Sequence, residues 1–145
     1  SEYKKMNTSK TLAINIKSDG LSDNIKKILI KKNITNYFVF DMSFPEEVIY
    51  RKKGFIIFNR QSEFEKTKKS FFTANGVWLD CFRTIWFNKK VIKKINSKNL
   101  CFVSPELHGR KNFKKLWFFL KKLNIDKEIS LCTDYPKRAK EFFYD

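Results

Sequence analysis

Apolar and polar positions alternate along the chain in a repeating order: a short apolar run, a polar cluster, then apolar residues at three- and four-residue spacing. Short apolar runs closed by turn residues read as strands, and the wider spacing reads as amphipathic helix. Thr11 to Lys17 predicts a first strand, and Ser18-Asp-Gly-Leu-Ser-Asp turns it into a helix from about Asn24 to Lys32 with Ile25, Ile28 and Leu29 as its stripe. Ser22 or Asp23 is placed to cap that helix. Asn36 to Met42 predicts a second strand, followed by a short helix opened by Pro45-Glu-Glu and stopped at Gly54. Phe55 to Arg60 predicts a third strand, and Ser62 with Glu65 has the capping-box spacing for a helix running to about Ala74.

Val77 to Asp80 reads as a fourth strand leading into a helix that contains Ile85, Trp86, Val91, Ile92 and Ile95. The fifth strand starts at Leu100 and closes on Ser104-Pro-Glu-Leu-His-Gly-Arg; its helix carries Phe113, Leu116, Trp117, Leu120 and Leu123. Glu128 to Thr133 predicts a sixth strand, and Pro136 opens a last helix with Ala139, Phe142 and Phe143. About six strand-then-helix units with short connections predict an α/β fold of parallel (β/α) repeats in a single domain, residues 1–145, with residues 1–10 as an N-terminal arm. Continuous apolar strands suit a sheet covered on both faces.

Composition adds core material and charge. Of 145 residues 42% are hydrophobic and 17% aromatic, so a core can form and disorder is not expected. No apolar run of about 18 residues predicts a membrane span, and Ser-Glu-Tyr-Lys-Lys-Met-Asn lacks the apolar centre of a signal peptide. Cys81, Cys101 and Cys132 have no metal-ligand spacing and read as buried free thiols of a reducing, cytoplasmic compartment. The net charge of +16 attracts polyanions. Its lysines, however, are spread as pairs through the predicted helices, as on solvated outer faces, which makes nucleic acid an unfavoured partner.

Chemistry gathers where the strands end. Alternation places Asn15 and Lys17 on one face of the first strand, and Tyr37, Val39 and Asp41 together on the second. Arg60, Asp80, Glu106 with His108, and Asp134 close later strands. Helix caps account for Ser22, Asp23 and Ser62, but helix N-termini disfavour cations, so Lys17, Arg60 and Arg110 call for another explanation. Lys17 is placed to neutralise a phosphate oxygen, with Asp41 and Asp80 holding Lys17 or Arg60 by ion pairs. His108 is a candidate general acid or base with Glu106 as its orienter, and Arg60 and Arg110 are candidate bidentate anion grips.

Phe40-Asp-Met-Ser, Arg60-Gln-Ser-Glu-Phe-Glu, Gly76-Val-Trp-Leu-Asp, Ser104-Pro-Glu-Leu-His-Gly-Arg and Leu131-Cys-Thr-Asp-Tyr-Pro, in that order and spacing, resemble the later part of a bacterial branch of the phospholipase C-like phosphodiesterases. These are TIM-barrel proteins related to glycerophosphodiester phosphodiesterases. The resemblance covers the chain from about Leu12 and implies a metal-assisted phosphoric diester hydrolase using Mg or Ca. It implies as substrate a small-molecule, glycan or lipid phosphodiester. The family's Glu-hydrophobic-Lys strand aligns with Asn15-Ile16-Lys17, so the lysine matches and the carboxylate does not. Its early His-Arg pair and Glu-x-Asp have no counterpart here, and the chain itself assembles no metal set.

An eight-unit barrel needs about 200 to 250 residues. The resemblance therefore implies an incomplete, truncated barrel with its first two units missing, and an association covering its open edges. Asn15, Asp41, Arg60, Asp80 and Arg110 are the candidate substrate contacts and Lys17, His108 and Glu106 the candidate catalytic groups. The competing class is a basic, non-catalytic module that binds nucleic acid or an anionic surface.

Overall fold

A computed structural model describes residues 10–65, 74–97 and 99–144. The chain is α/β with parallel strands, arranged as a two-stranded sheet and a four-stranded sheet. Its contacts gather it into two compact units, one ending at Asn59 and one beginning at Arg60.

In the first unit, β1 (Leu12–Asn15) and β2 (Tyr37–Phe40) pair in parallel, Leu12 against Tyr37 and Asn15 against Phe40. Between them runs α1 (Ser22–Lys31), and α2 (Phe44–Lys52) follows β2. The predicted side-chain cap of α1 does not form. Residue Leu21 occupies the cap position, while the Lys53 ammonium donates to Ser22 Oγ at 2.7 Å and to Asp23 Oδ1 at 2.6 Å. Helix α2 follows the expected charge order, with Glu46 and Glu47 in its first turn and Arg51 and Lys52 in its last. It ends where Gly54 takes φ +70°, a left-handed conformation that glycine adopts without steric cost. Ile16, Leu29, Tyr37, Val39, Tyr50, Phe55 and Ile57 form this unit's core.

Strand β3 (Phe58–Gln61) lies at the division between the units, and the larger sheet has the order β3-β4-β5-β6. In the second unit β4 (Gly76–Leu79) pairs with β5 (Asn99–Val103), and β5 pairs with β6 (Glu128–Cys132), both in parallel. The helices are α3 (Lys89–Lys94), α4 (Phe113–Lys121) and α5 (Pro136–Tyr144), with a 3-10 turn at Pro105–His108. Val77, Leu79, Leu100 and Phe102 from the strands meet Leu116, Trp117, Leu120 and Ala139 from the helices. Spacings of one and four residues from Leu116 put Trp117 and Leu120 on one stripe of α4, with Leu123 packing just past its end, which explains why the helix lies against the sheet.

The predicted helix through Ile85 is shorter than expected. Its start moves to Lys89 because Asn88 caps it, the side chain accepting from Val91 N at 3.1 Å. Phe87 turns into the core instead, with its ring 5.3 Å from that of Phe102. The helix expected between Ser62 and Ala74 falls largely outside the described residues. At its expected start, Ser62 Oγ accepts from Phe64 N and Glu65 N at 3.2 and 3.0 Å. The Glu65 carboxylate, however, turns to Arg60 instead of completing a capping box. Strand β6 is an edge of its sheet, with Glu128, Ile129 and Ser130 exposed. An apolar groove of about 510 Å³ runs beside it, lined by Ile129, Leu131, Ala139 and Phe143 among others.

Candidate functional site

Strands β4 and β5 lie in register, Leu79 opposite Phe102, so the residues that follow them leave the sheet side by side. Asp80 follows β4 and is buried. Ser104 follows β5 and leads into the 3-10 turn that carries His108. This turn closes at Gly109, φ +70°, and returns the chain toward α4. The outcome is a contact that spans 28 residues of sequence: His108 Nε2 lies 2.5 Å from Asp80 Oδ1. A carboxylate only accepts, so the shared hydrogen belongs to Nε2, and Nδ1 is left as the basic nitrogen. The His108 side chain is 21% exposed against 8% for Asp80, which places a fixed carboxylate behind a partly open imidazole.

Asp80 is itself fixed. Its Oδ1 accepts from Cys81 N at 3.0 Å, its backbone N–H donates to Gln61 O at 2.8 Å, and its carbonyl accepts from Trp86 Nε1 at 2.6 Å. Phe82 packs its ring 4.6 Å from the His108 imidazole at 48°. Arg110 Nη1 donates to Cys81 O at 2.9 Å, so it braces the turn after β4. The thiol of Cys81 donates to Val103 O, and burial pushes its pKa up to about 12 against the opposing pull of Arg110. Burial also raises Cys101 and Cys132, leaving all three as free, weakly reactive thiols.

Glu106 does not orient His108. Its Oε1 accepts from Thr133 Oγ1 and, at 3.3 Å, from Asp134 N, which ties the turn after β5 to the end of β6. Its Oε2 is buried without a partner among the described residues. Arg60 forms a two-pronged pair with Glu65, Nε to Oε2 at 2.7 Å and Nη2 to Oε1 at 3.0 Å. Both predicted anion-gripping arginines are thus bound to protein oxygens. Ser104 is fully buried and accepts from Trp117 Nε1 at 2.9 Å, a structural use of the hydroxyl.

In the first unit, Lys17 pairs with Asp41, with Lys17 73% and Asp41 10% exposed at the side chain. An ammonium has three donors. A half-buried carboxylate holding one of them leaves the exposed head able to meet an anion. Asp41 adopts φ +71°, which aspartate tolerates better than most residues. Asn15 and Lys17 are both exposed, opposite buried Ile16, as the alternation requires. Asp19 Oδ1 accepts from Ser43 Oγ at 3.2 Å.

Glu63, which lies in the Arg60-Gln-Ser-Glu motif, accepts three successive backbone N–H groups with its carboxylate. Phe82 N reaches Oε2 at 3.1 Å, while Arg83 N and Thr84 N reach Oε1 at 2.5 and 3.0 Å. Burial pushes its pKa up, but these N–H donors outweigh that effect and hold the carboxyl below its ordinary range. Among the described residues, no group of three or more His, Cys, Asp or Glu is placed to hold a metal ion. Asp80 Oδ1 is held by His108 Nε2 and Cys81 N, and Glu106 Oε1 by Thr133 Oγ1.

Fold and cluster together define an α/β chain with a carboxylate–imidazole pair where two neighbouring parallel strands end. No family model, curated protein or solved structure matches the chain. No described helix is long and apolar enough to cross a membrane.

Proposed function

We propose that the chain is part of a glycerophosphodiester phosphodiesterase-like phosphoric diester hydrolase, built as an incomplete (β/α) barrel and acting in the cytoplasm on a glycan-, lipid- or small-molecule-linked phosphodiester. The ordered strand-end motifs support the ancestry. The observation that carries the chemistry is the Asp80–His108 pair. Asp80 orients the ring and stabilises the imidazolium, and Nδ1 takes a proton from the attacking hydroxyl or water and returns it to the leaving oxygen. By the resemblance alone, Lys17, which pairs with Asp41 within the first unit, is a phosphate-binding lysine. The family's early His-Arg and Glu-x-Asp residues, which this sequence lacks, would add to the rate, and an associated segment or partner at the open edge of β6 would complete the sheet.

The test is turnover of bis-p-nitrophenyl phosphate, with and without Mg2+ or Ca2+. Wild-type protein is expected to hydrolyse it and His108→Gln to lose about 10²- to 10⁴-fold in kcat. Lys17→Ala is expected to raise KM. Equal turnover in wild type and His108→Gln, or none in wild type, would remove the hydrolytic reading. The basic-module reading would then stand, and it predicts polyanion affinity that falls steeply with salt.

A further inference from the structure

The turn after β4 has no regular structure between Cys81 and Asn88, yet its residues are held at separate points. Two anchors belong to its ends: Arg110 holds the Cys81 carbonyl, and Trp86 Nε1 reaches back to the Asp80 carbonyl. The middle, Phe82 to Thr84, is held by Glu63. That middle carries Phe82, the ring that rests beside His108.

The two segments interlock further. Arg83 lies over the Phe64 ring at 5.3 Å, Arg60 lies 6.0 Å from the centre of Phe82, and the Phe64 and Phe82 rings are 6.1 Å apart. Ser62 fixes the turn from which Glu63 projects, accepting from the N–H groups of Phe64 and Glu65.

We propose that Glu63 is a positioning residue for His108: by gathering the N–H groups of residues 82–84 it sets Phe82 against the imidazole and so fixes the ring plane that Asp80 alone leaves free to tilt. One hydrogen bond to Nε2 defines a direction. A second contact, the Phe82 ring tilted at 48° with its centre 4.6 Å from that of the imidazole, restrains the remaining rotation. A tilt that moves Nδ1 by an ångström is large enough to cost up to about a hundredfold in rate. The carboxyl stays ionised through the neutral range because three N–H donors hold it below its ordinary range, so the clamp is set wherever a neutral imidazole is useful. This role rests on the hydrolytic reading for its consequence, though not for its geometry.

His108 is the only histidine, so its two carbon-bound ring protons give a resolved pair of NMR signals without assignment. In wild type they are expected to be displaced by the Phe82 ring current. Glu63→Gln, which keeps the end anchors and the fold, is expected to remove that displacement, and Glu63→Asp to restore part of it. Phe82→Leu should reproduce the Glu63→Gln spectrum and guards against a misfolded Glu63 variant. In the diesterase assay, Glu63→Gln should lower kcat about tenfold to a hundredfold with KM unchanged.

Imidazole signals in Glu63→Gln that match wild type would overturn the proposal, leaving Glu63 a loop brace. Unshifted signals in Phe82→Leu would overturn it too. Absence of any wild-type turnover sinks the hydrolytic reading alone, since the ring-current comparison still decides whether Glu63 places the imidazole.

Discussion

Replacing Ser104 with Ala removes one oxygen from the point where β5 gives way to the turn carrying His108. Ser104 is 0% exposed, and its hydroxyl accepts from Trp117 Nε1 at 2.9 Å. Trp117 is 1% exposed, wedged among Phe113, Phe142 and Phe143 at ring distances of 4.9 to 6.1 Å, so no water is at hand to replace the lost acceptor. An orphaned buried N–H costs about 1–3 kcal/mol. The hydroxyl's own loss is small because it leaves little volume. Trp117→Phe removes the donor together with ring area and should cost about 2–4 kcal/mol, mostly through the cavity.

In the double variant neither orphan remains, so the costs should fall short of additivity by about 1 kcal/mol or more. Urea unfolding followed by far-ultraviolet circular dichroism measures all three, and unchanged slopes would show that the unfolded state is unaffected. A Ser104→Ala cost below about 0.5 kcal/mol, or strict additivity, would refute a structural Ser104–Trp117 bond.

Other consequences are simpler to check. Asn88→Ala removes the side-chain cap of α3 and should lower stability by about 1 kcal/mol in the same unfolding assay. Gly109→Ala meets no atom within 4 Å but must adopt φ +70°, so a loss of about 1 kcal/mol is expected from backbone strain alone. With the Cys81 thiol raised to about 12 and Cys101 and Cys132 raised as well, native protein at pH 8 should react with a disulfide reagent far more slowly than urea-unfolded protein. The same burial has a pH consequence. A thiol protonated in the folded state but ionised in the unfolded one contributes stability that is intact below an unfolded value of 9 and is lost as pH rises toward 12, so alkaline unfolding should begin above about pH 9 and shift upward in Cys81→Ala. For Glu63 the sign is opposite: its folded value is depressed, so its contribution is full above 4.5 and is lost as pH falls through the folded value.

The strand ends were legible because each apolar run closes on polar residues, and Asp41, Asp80, Ser104 and Asp134 all follow strands or their immediate ends. The partnerships were not. Glu106 stands two residues from His108 in sequence and looked like its orienter, whereas Asp80 stands 28 away and is its neighbour in space. Only the parallel register of β4 and β5 brings those strand ends together, and register depends on tertiary packing that a local pattern does not carry. Arg60 and Arg110 call for an explanation in the sequence because helix N-termini disfavour cations. Glu65 and the Cys81 carbonyl supply it, the first local and the second reached only through folding.

Apolar periodicity also over-extended one helix. Ile85 and Trp86 pack against the core from a loop, and Asn88 overrides the pattern by capping three residues later than the apolar run begins. The α1 cap failed for a similar reason: Lys53, 30 or 31 residues distant, competes for both Ser22 and Asp23.

The central claim is that Asp80 and His108 act as one proton-transfer device. Turnover of bis-p-nitrophenyl phosphate by Asp80→Asn, His108→Gln and the double variant tests it most directly. A device predicts strong non-additivity, with the double variant no slower than His108→Gln and Asp80→Asn well below wild type. Losses that multiply, or an Asp80→Asn protein as fast as wild type, would contradict it.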